Sequence, residues 1–296
     1  MKRPVLTLTA CIALVFLLSS TAIAQDLQDI ILGKRFVFHS EILQQERTVL
    51  VYLPPSYNTV EGASRHFPVM YLLDGGAHFN SATGIVHHLS SPNSGVHRIP
   101  EMIVIALPNI RRTHSLTPTV VTTGPYSEDS GGAADFSRFL REELFKKVED
   151  DFRTSPERLL VGHSLGGLFA LNVFLEHPEM FDHYIAIDPS LWWDNQLLVR
   201  RLSEQATRRY ANPVTVFIAL ANSPDSEYSD LNLKKQHVSG IRKFSKLLKQ
   251  RENTTFRFGF EFFPDETHVQ SPLIGTYRGL LFTYPSDSAA EAHTSK

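Results

Sequence analysis

The segment that most constrains the fold of this chain is Gly162-His163-Ser164-Leu165-Gly166-Gly167. It follows an apolar run at 158–161 that is typical of a buried strand, and it precedes a run at 168–175 that is typical of a helix. A serine flanked by glycines at such a junction indicates a sharp strand-to-helix turn, because bulky neighbours would clash where the two elements pack. The turn exposes the Ser164 hydroxyl near the free N–H groups of the new helix. The segment therefore predicts a nucleophilic serine.

Strand-like and helix-like runs alternate through the rest of the chain. Residues 35–39 and 48–53 predict an opening hairpin, and further strands are expected at 67–73, 102–107, 158–161, 184–187, 214–220 and 255–263. Helical spacing occurs at 135–152, 168–175, 195–208, 233–250 and 273–282. This alternation predicts an α/β fold, with a mostly parallel central sheet and helices on both faces. The active site of such a sheet lies beyond the carboxyl ends of its strands.

The first 24 residues have the composition of a cleaved export signal. Lys2 and Arg3 precede an apolar stretch at 4–18, and Ala22-Ile23-Ala24 has the pattern of a cleavage site. The apolar stretch is too short for a confident membrane span. We therefore expect a periplasmic or secreted protein without a stable membrane anchor. It would comprise one domain at 25–285 and a small polar tail at 286–296, expected to be disordered.

Composition narrows the chemistry of the expected mature chain. The one cysteine of the full sequence, Cys11, lies in the expected signal. Disulfide, thiol and cysteine–metal chemistry are therefore excluded for the expected mature chain. With Lys2 and Arg3 removed, 27 basic and 31 acidic residues remain, a formal charge of −4. This balance argues against nucleic acid as a partner. His87-His88 lacks a third ligand at suitable spacing, and no metal site is expected.

A nucleophilic serine needs a neighbouring base, usually a histidine oriented by a carboxylate. His268 is the candidate base because it lies in the loop after the last predicted strand. The acid is open. Asp225, after the strand at 214–220, is the first choice and Glu227 the second. Asp188 follows the preceding strand, a less common position for the acid, and a Ser–His dyad held by a backbone carbonyl is the remaining possibility.

Two backbone N–H groups are expected to form an oxyanion hole. One belongs to Leu165, the residue after the serine. The other is assigned to Gly76, in the glycine-containing loop after the strand at 67–73, with Ala77 and Gly75 as alternatives. His163 is interpreted as a packing residue, because adjacent side chains on such a turn point in different directions.

In this order and spacing, the motifs resemble the "Putative esterase" family of α/β-hydrolases, in particular its esterase D and siderophore-esterase-like members. The resemblance covers about 50–282 and is carried by Val51-Tyr52-Leu53-Pro54, Tyr71-Leu72-Leu73-Asp74-Gly75, Gly131-Gly132-Ala133, Gly162–Gly167, Asp188-Pro189-Ser190-Leu191-Trp192-Trp193 and Thr267-His268. It implies an α/β-hydrolase fold and hydrolysis of carboxylic esters through an acyl-serine, without a cofactor. It also implies Ser164 as nucleophile, His268 as base, and a small, siderophore-type or feruloyl-type ester as the small-molecule substrate.

Candidate substrate-binding residues are less sharply indicated. Arg112 could anchor an anionic group of the substrate or stabilise its own loop, and Trp192 and Trp193 could wall a pocket or pack in the core. The polar segment 109–132 is the candidate lid. Two other functions remain open: acyl transfer to an alcohol acceptor, and a hydrolase fold retained as a binding protein without catalysis.

Overall fold

The computed structural model describes residues 29–91, 94–123, 126–127, 129–205, 209–227 and 230–286. The expected export signal lies outside these residues, as does the expected tail beyond Ser286. The predicted domain boundaries at 25 and 285 therefore stay predictions. Across the described ranges, no helix has both the length and the apolar character needed to cross a membrane.

Eight strands of the described chain form one sheet. They are β1 (Lys34–Ser40), β2 (Gln45–Tyr52), β3 (Phe67–Leu72), β4 (Ile103–Ala106), β5 (Thr154–His163), β6 (His183–Ile187), β7 (Val214–Ala221) and β8 (Phe256–Phe263). Their spatial order is β1-β2-β4-β3-β5-β6-β7-β8. The first two pairings, β1 with β2 and β2 with β4, are antiparallel. All later pairings are parallel, which confirms the mostly parallel sheet.

Helices cover the sheet. They are α1 (Gly75–Ser90), α2 (Arg112–Leu116), α3 (Ala133–Phe139), α4 (Phe145–Asp151), α5 (Leu165–Glu176), α6 (Trp193–Glu204), α7 (Leu231–Lys249) and α8 (Ser271–Thr283). Alternate residues of β7 face two different cores. Val216 packs with α5 and α7 residues on one side, and Phe217 packs with α1 and α8 residues on the other. Because both faces are buried, β7 is apolar at nearly every position.

Some element predictions need correction. The helix expected at 135–152 is two α-helices joined by a π-helical turn at Leu140–Leu144. The helix expected at 195–208 begins at Trp193 and ends at Glu204, and its residues Asp194, Asn195 and Gln196 have left-handed backbone angles. Helix α1 is not among the predicted elements, because residues 75–90 carry too few apolar side chains at helical spacing to reveal it from sequence.

The topology brings several chain segments to one edge of the sheet. Strands β3, β5, β6, β7 and β8 are consecutive parallel neighbours, so their carboxyl ends lie side by side. The residues that follow those ends are therefore neighbours in space although they are far apart in sequence.

Candidate active site

Ser164 occupies a strained turn between β5 and α5. Its φ of 58° and ψ of −117° lie outside the regions that L-residues normally adopt. Three hydrogen bonds hold this backbone: its N–H donates to the Ile187 carbonyl at 3.0 Å, and its carbonyl accepts from Leu168 and Ser190. A Cβ on Gly162 would overlap the Gly166 carbonyl. The glycine spacing is thus a steric requirement of the turn that exposes the serine.

His268 lies in the loop after β8 and is bonded to a buried carboxylate. Its Nδ1 is 2.6 Å from Oδ2 of Asp188, whose side chain is fully buried. Asp188 immediately follows β6 and has a left-handed φ of 42°. The backbone N–H of His268 donates to Oγ of Ser223 at 2.6 Å, which anchors the loop. The imidazole is therefore held through both its ring and its backbone.

The first choice for the acid, Asp225, is wrong as the partner of His268. Its carboxylate is exposed and accepts a hydrogen bond from Lys234 Nζ at 2.7 Å. The segment after β7 does reach the His268 loop, but it does so through the Asn222 N–H and the Ser223 hydroxyl before the chain turns outward. The second choice, Glu227, has its side chain outside the described part of the structure.

Asp188 is the third alternative, and the sequence carries a signal for it. It directly follows the apolar strand β6, whereas Asp225 stands four positions beyond the end of β7. Parallel neighbouring strands end at the same edge of the sheet, so a carboxylate at either end can reach the same imidazole. The residue directly at a strand end has the shorter path to that edge.

Contacts around Ser164 join it to the His268–Asp188 pair. The Ile187 carbonyl that receives the Ser164 N–H belongs to the residue before Asp188. The Oγ atoms of Ser164 and Ser190 are 3.2 Å apart. The ring of His163 packs against that of His268, with centroids 4.4 Å apart. The structure thus brings the candidate nucleophile and the candidate base to the same edge of the sheet.

The electrostatics of this cluster favour an ionised acid and a neutral neighbour. Burial alone would raise the pKa of Asp188, but the neighbouring imidazoles of His237 and His268 outweigh it and hold that pKa well below its usual range. Burial, with the nearby His268, lowers the pKa of His163 to about 3. A neutral His163 ring therefore packs against His268, as its interpretation as a packing residue implies.

The candidate oxyanion donors lie at the N-termini of two adjacent helices. A Cβ on Gly166 in α5 would stand 3.2 Å from Oδ2 of Asp74, the residue before α1. Of the three candidate amides after β3, Gly75 donates to Leu107 and Ala77 to Asp74. Within the described chain, the N–H of Gly76 has no acceptor, and neither has that of Leu165. Two free first-turn amides are suited to bind an anionic oxygen.

Arg112 is engaged in holding the loop after β3. Its Nε and Nη2 bond both oxygens of Asp74 at 2.6 and 2.9 Å, and its Nη2 lies 3.3 Å from the His163 carbonyl. Asn109 adds a bond to Asp74 Oδ1 at 2.5 Å. Despite burial, these partners lower the pKa of Asp74. Of the two roles considered for Arg112, the contacts are those of loop stabilisation.

The two tryptophans differ in their surroundings. Trp193 is 1% exposed, and its indole N–H donates to Thr119 Oγ1 at 3.1 Å. Trp192 is half-buried, and its ring centroid is 5.8 Å from that of Tyr126. Both line a cavity of about 520 Å³, whose other walls include Val120, Val121, Thr122, Thr123, Asp194 and Asp230. Part of the candidate lid, 109–132, thus forms a wall of this cavity.

Three side chains of the described residues have ligand atoms close enough to share a cation. They are Asp188, His237 and His268, with ligand atoms within 4.8 Å of one another. Their nitrogen and oxygen atoms face each other at 2.6 and 3.2 Å. The shorter distance is the hydrogen bond between His268 and Asp188, and the longer one places the His237 imidazole next to the other carboxylate oxygen.

A mostly parallel eight-stranded sheet with a strained serine after its fifth strand, beside a histidine–aspartate pair, defines an α/β-hydrolase. Residues 40–269 match the family described as "Putative esterase". The chain belongs to this family, and it is an esterase.

Similar proteins act on siderophores according to their names. Ferri-bacillibactin esterase BesA of Bacillus subtilis is 28% identical over 237 residues, which cover 75% of this chain and 80% of BesA. A siderophore enterobactin esterase of Emericella nidulans is 34% identical over 165 residues, 49% of this chain and 54% of that protein. The crystal structure of an IroE-like serine hydrolase from Shewanella oneidensis superposes with a TM-score of 0.74 at 28% identity, covering 85% of this chain and 80% of that one.

Proposed function

We propose that this esterase hydrolyses siderophore esters through an acyl-serine intermediate, with Ser164 as nucleophile, His268 as base and Asp188 as acid. The observation that carries the proposal is the 2.6 Å bond between His268 and Asp188 at the edge of the sheet where Ser164 caps α5. The siderophore esters named for BesA and for the Emericella nidulans enzyme support the substrate class.

The reaction follows from the positions of these groups. Ser164 Oγ attacks the ester carbonyl while its proton passes to Nε2 of His268, since Nδ1 is bonded to Asp188. The ionised carboxylate of Asp188 stabilises the imidazolium, and the N–H groups of Leu165 and Gly76 bind the oxyanion. The C–O bond then breaks and Nε2 returns the proton to the leaving alcohol. Water repeats the sequence on the acyl-serine and releases the acid.

The aromatic cavity supports an aryl-bearing substrate. Trp192 and Tyr126 line the cavity, and their rings are neighbours. Trp192 lies two positions after Ser190, whose hydroxyl contacts that of Ser164. An aryl arm of a siderophore, or the feruloyl group of a plant ester, would stack on such surfaces. We propose Trp192 as the principal contact, because Trp193 is almost wholly buried.

We also propose that the protein is exported to the periplasm or secreted. The basic start, the apolar stretch at 4–18 and the Ala22-Ile23-Ala24 pattern support this location. Mass spectrometry of the protein from a cell fraction outside the cytoplasm should detect a chain that begins at Gln25.

The decisive experiment combines a covalent probe with product analysis. A fluorophosphonate should add one phosphonyl group to the purified protein at Ser164, located by peptide mass spectrometry, and none to the neighbouring Ser190. Hydrolysis of enterobactin, a trilactone, should open the ring and release linear products, while feruloyl sugars and p-nitrophenyl butyrate test the breadth of specificity. Labelling elsewhere would refute Ser164 as nucleophile. Hydrolysis of the simple esters alone would refute the siderophore substrate.

Product analysis also separates hydrolysis from acyl transfer. With an added alcohol acceptor, the proposed hydrolase should release mainly the free acid. Predominant formation of the new ester would favour an acyltransferase. An intact protein that neither labels nor hydrolyses any of these esters would be a binding protein.

A further inference from the structure

A second histidine approaches the other carboxylate oxygen of the proposed acid. His237 lies in α7, is 1% exposed, and places Nε2 3.2 Å from Oδ1 of Asp188. Its ring stands nearly perpendicular to that of His268, with centroids 5.9 Å apart. Each carboxylate oxygen of Asp188 therefore has one imidazole nitrogen next to it.

The hydrogen-bond requirements of Asp188 determine what His237 must do. Its Oδ2 accepts from His268, and its Oδ1 also accepts from the backbone N–H of Ala221 at 3.0 Å. Among the described residues, the ion-pair partners of this fully buried carboxylate are the two histidines, with no lysine or arginine. An ionised carboxylate only accepts hydrogen bonds, so His237 must carry its proton on Nε2 to bond Oδ1.

We propose that His237 is a positioning residue of the esterase reaction, which by donating from Nε2 to Oδ1 orients Asp188 so that Oδ2 is aimed at Nδ1 of His268. This inference rests on the proposed function. In this role His237 acts through Asp188. When His268 takes the serine proton, the carboxylate is already ionised and fixed in place to stabilise the imidazolium. Residues that orient a metal ligand through a hydrogen bond commonly contribute about 10–100-fold to activity. We expect an effect of the same order for a residue that orients the acid.

A matched pair of variants separates donation from space filling. His237→Phe keeps a planar ring of similar size in the core but removes the N–H donor. His237→Gln keeps a side-chain N–H donor at a similar distance from the backbone. If His237 only filled space, the phenylalanine variant would be the better tolerated of the two. If it positions Asp188, the glutamine variant should retain more activity.

The experiment measures kcat, KM and the pH profile with p-nitrophenyl butyrate. We expect His237→Phe to lower kcat about 10–100-fold with KM nearly unchanged, and His237→Gln to recover most of that loss. Loss of a donor should raise the pKa of Asp188, so activity in the phenylalanine variant should fall away at a higher pH than in the wild type. Wild-type kcat in His237→Phe, or equal losses in both variants with unchanged pH profiles, would overturn the inference.

A measurement on the unaltered protein covers the case in which a variant fails to fold. Nitrogen-15 NMR of labelled histidines should show His237 with its proton on Nε2. A proton on Nδ1 alone would overturn the inference. Fluorophosphonate labelling of the wild type keeps the two proposals distinguishable. An unlabelled, inactive wild type contradicts the proposed function, whereas a labelled, active wild type with a fully active His237→Phe contradicts only the role of His237.

Discussion

The proposed nucleophile and the proposed acid–base cluster of this esterase are built in different ways. Ser164 and its turn come from one continuous segment, in which β5 runs directly into α5. Asp188, His237 and His268 come from three separate elements, and the bonded pair Asp188 and His268 is 80 residues apart in sequence. One part of a site can therefore follow from a local steric pattern, while another part follows from the order of the strands in the sheet.

The nucleophile turn depends on close backbone packing. Gly162 allows the end of β5 to approach the start of α5, because a Cβ there would overlap the Gly166 carbonyl. Ser164 takes its unusual backbone angles between these two glycines. The residues responsible are neighbours in the chain, so their spacing is visible as a motif.

The acid–base cluster depends on which strands are neighbours. Strands β6 and β7 are adjacent and parallel, so a carboxylate after either one could approach the loop after β8. In the sequence, the two positions differ only in that Asp188 directly follows its strand and Asp225 stands four positions beyond the end of its strand. The direction of the chain after each strand distinguishes them, because Asp188 stays buried at the strand end while Asp225 turns outward to Lys234.

The largest expected effect is loss of the nucleophile. Ser164→Ala should lower kcat on p-nitrophenyl butyrate by about 10⁴–10⁶-fold, because the acyl-serine cannot form. Ser190→Ala is the matched control, since its hydroxyl lies 3.2 Å from that of Ser164. The kcat of Ser190→Ala should fall by less than about tenfold, because Ser190 has no covalent role in the proposed mechanism. If the two variants were equally active, the serine at the turn would not be the nucleophile.

The next effect tests the choice between the two strand ends. Asp188→Asn should lower kcat about 10³–10⁴-fold, because an amide cannot stabilise the imidazolium or hold the required tautomer. Asp225→Asn should stay within about twofold, since its carboxylate makes an exposed ion pair with Lys234. Steady-state kinetics of the two purified variants would decide which aspartate is the acid. The reverse order of activities would restore Asp225 as the acid.

A stability measurement tests the local steric requirement of the nucleophile turn. Gly162→Ala should lower the free energy of unfolding by about 1–3 kcal/mol, because the new Cβ overlaps the Gly166 carbonyl. Gly84→Ala is the control: Gly84 lies on the exposed surface of α1, and a methyl group added there would have no other atom within 4 Å. It should raise stability by about 0.5–1 kcal/mol. Urea unfolding compares the two, and a harmless Gly162→Ala would contradict the packing argument.

A second stability effect, of similar size, concerns the loop that carries Gly76. Arg112→Gln removes the bidentate bond to Asp74 and should destabilise the fold by about 1–3 kcal/mol, since Asp74 is buried but Arg112 is about one-third exposed. Arg111→Gln breaks a more exposed pair with Asp129 and should cost less than about 1 kcal/mol. An Arg112 variant of unchanged stability with a raised KM would instead indicate substrate binding.

The difference in unfolding free energy between the wild type and Arg112→Gln should change with pH in a defined direction. Arg112 lowers the pKa of Asp74 in the folded chain relative to about 3.9 in the unfolded chain. The stabilisation is therefore present above about pH 4 and is lost as the pH falls through the lower folded value. Urea unfolding of the wild type and Arg112→Gln should give curves that converge below about pH 4. A gap that stays constant on acidification would contradict the ion pair as its source.

Much of the architecture and part of the site could be predicted from sequence. The continuous apolar runs of the buried strands and the glycine spacing around Ser164 both record local requirements, and the parallel sheet is confirmed. Helix α1 escapes prediction because its buried face is small and its first turn carries glycines. Asp225 ranks above Asp188 on sequence because the acid more commonly follows the strand at 214–220. The path of the chain beyond that strand, which carries Asp225 away from His268, is not visible in the sequence. His237 does not stand out, because a lone histidine within a basic amphipathic helix carries no local signal.

The sequence by itself determined the α/β architecture and the serine turn, because both follow from contacts among residues close together in the chain. Only the tertiary structure decided that Asp188 bonds His268, that Nε2 of His237 lies 3.2 Å from the other oxygen of the same carboxylate, and that Arg112 is engaged by Asp74. These contacts join residues from different strands, helices and loops. Their partners are selected by the order of the strands in the sheet and by which side chains are buried there, and neither is written in a local pattern.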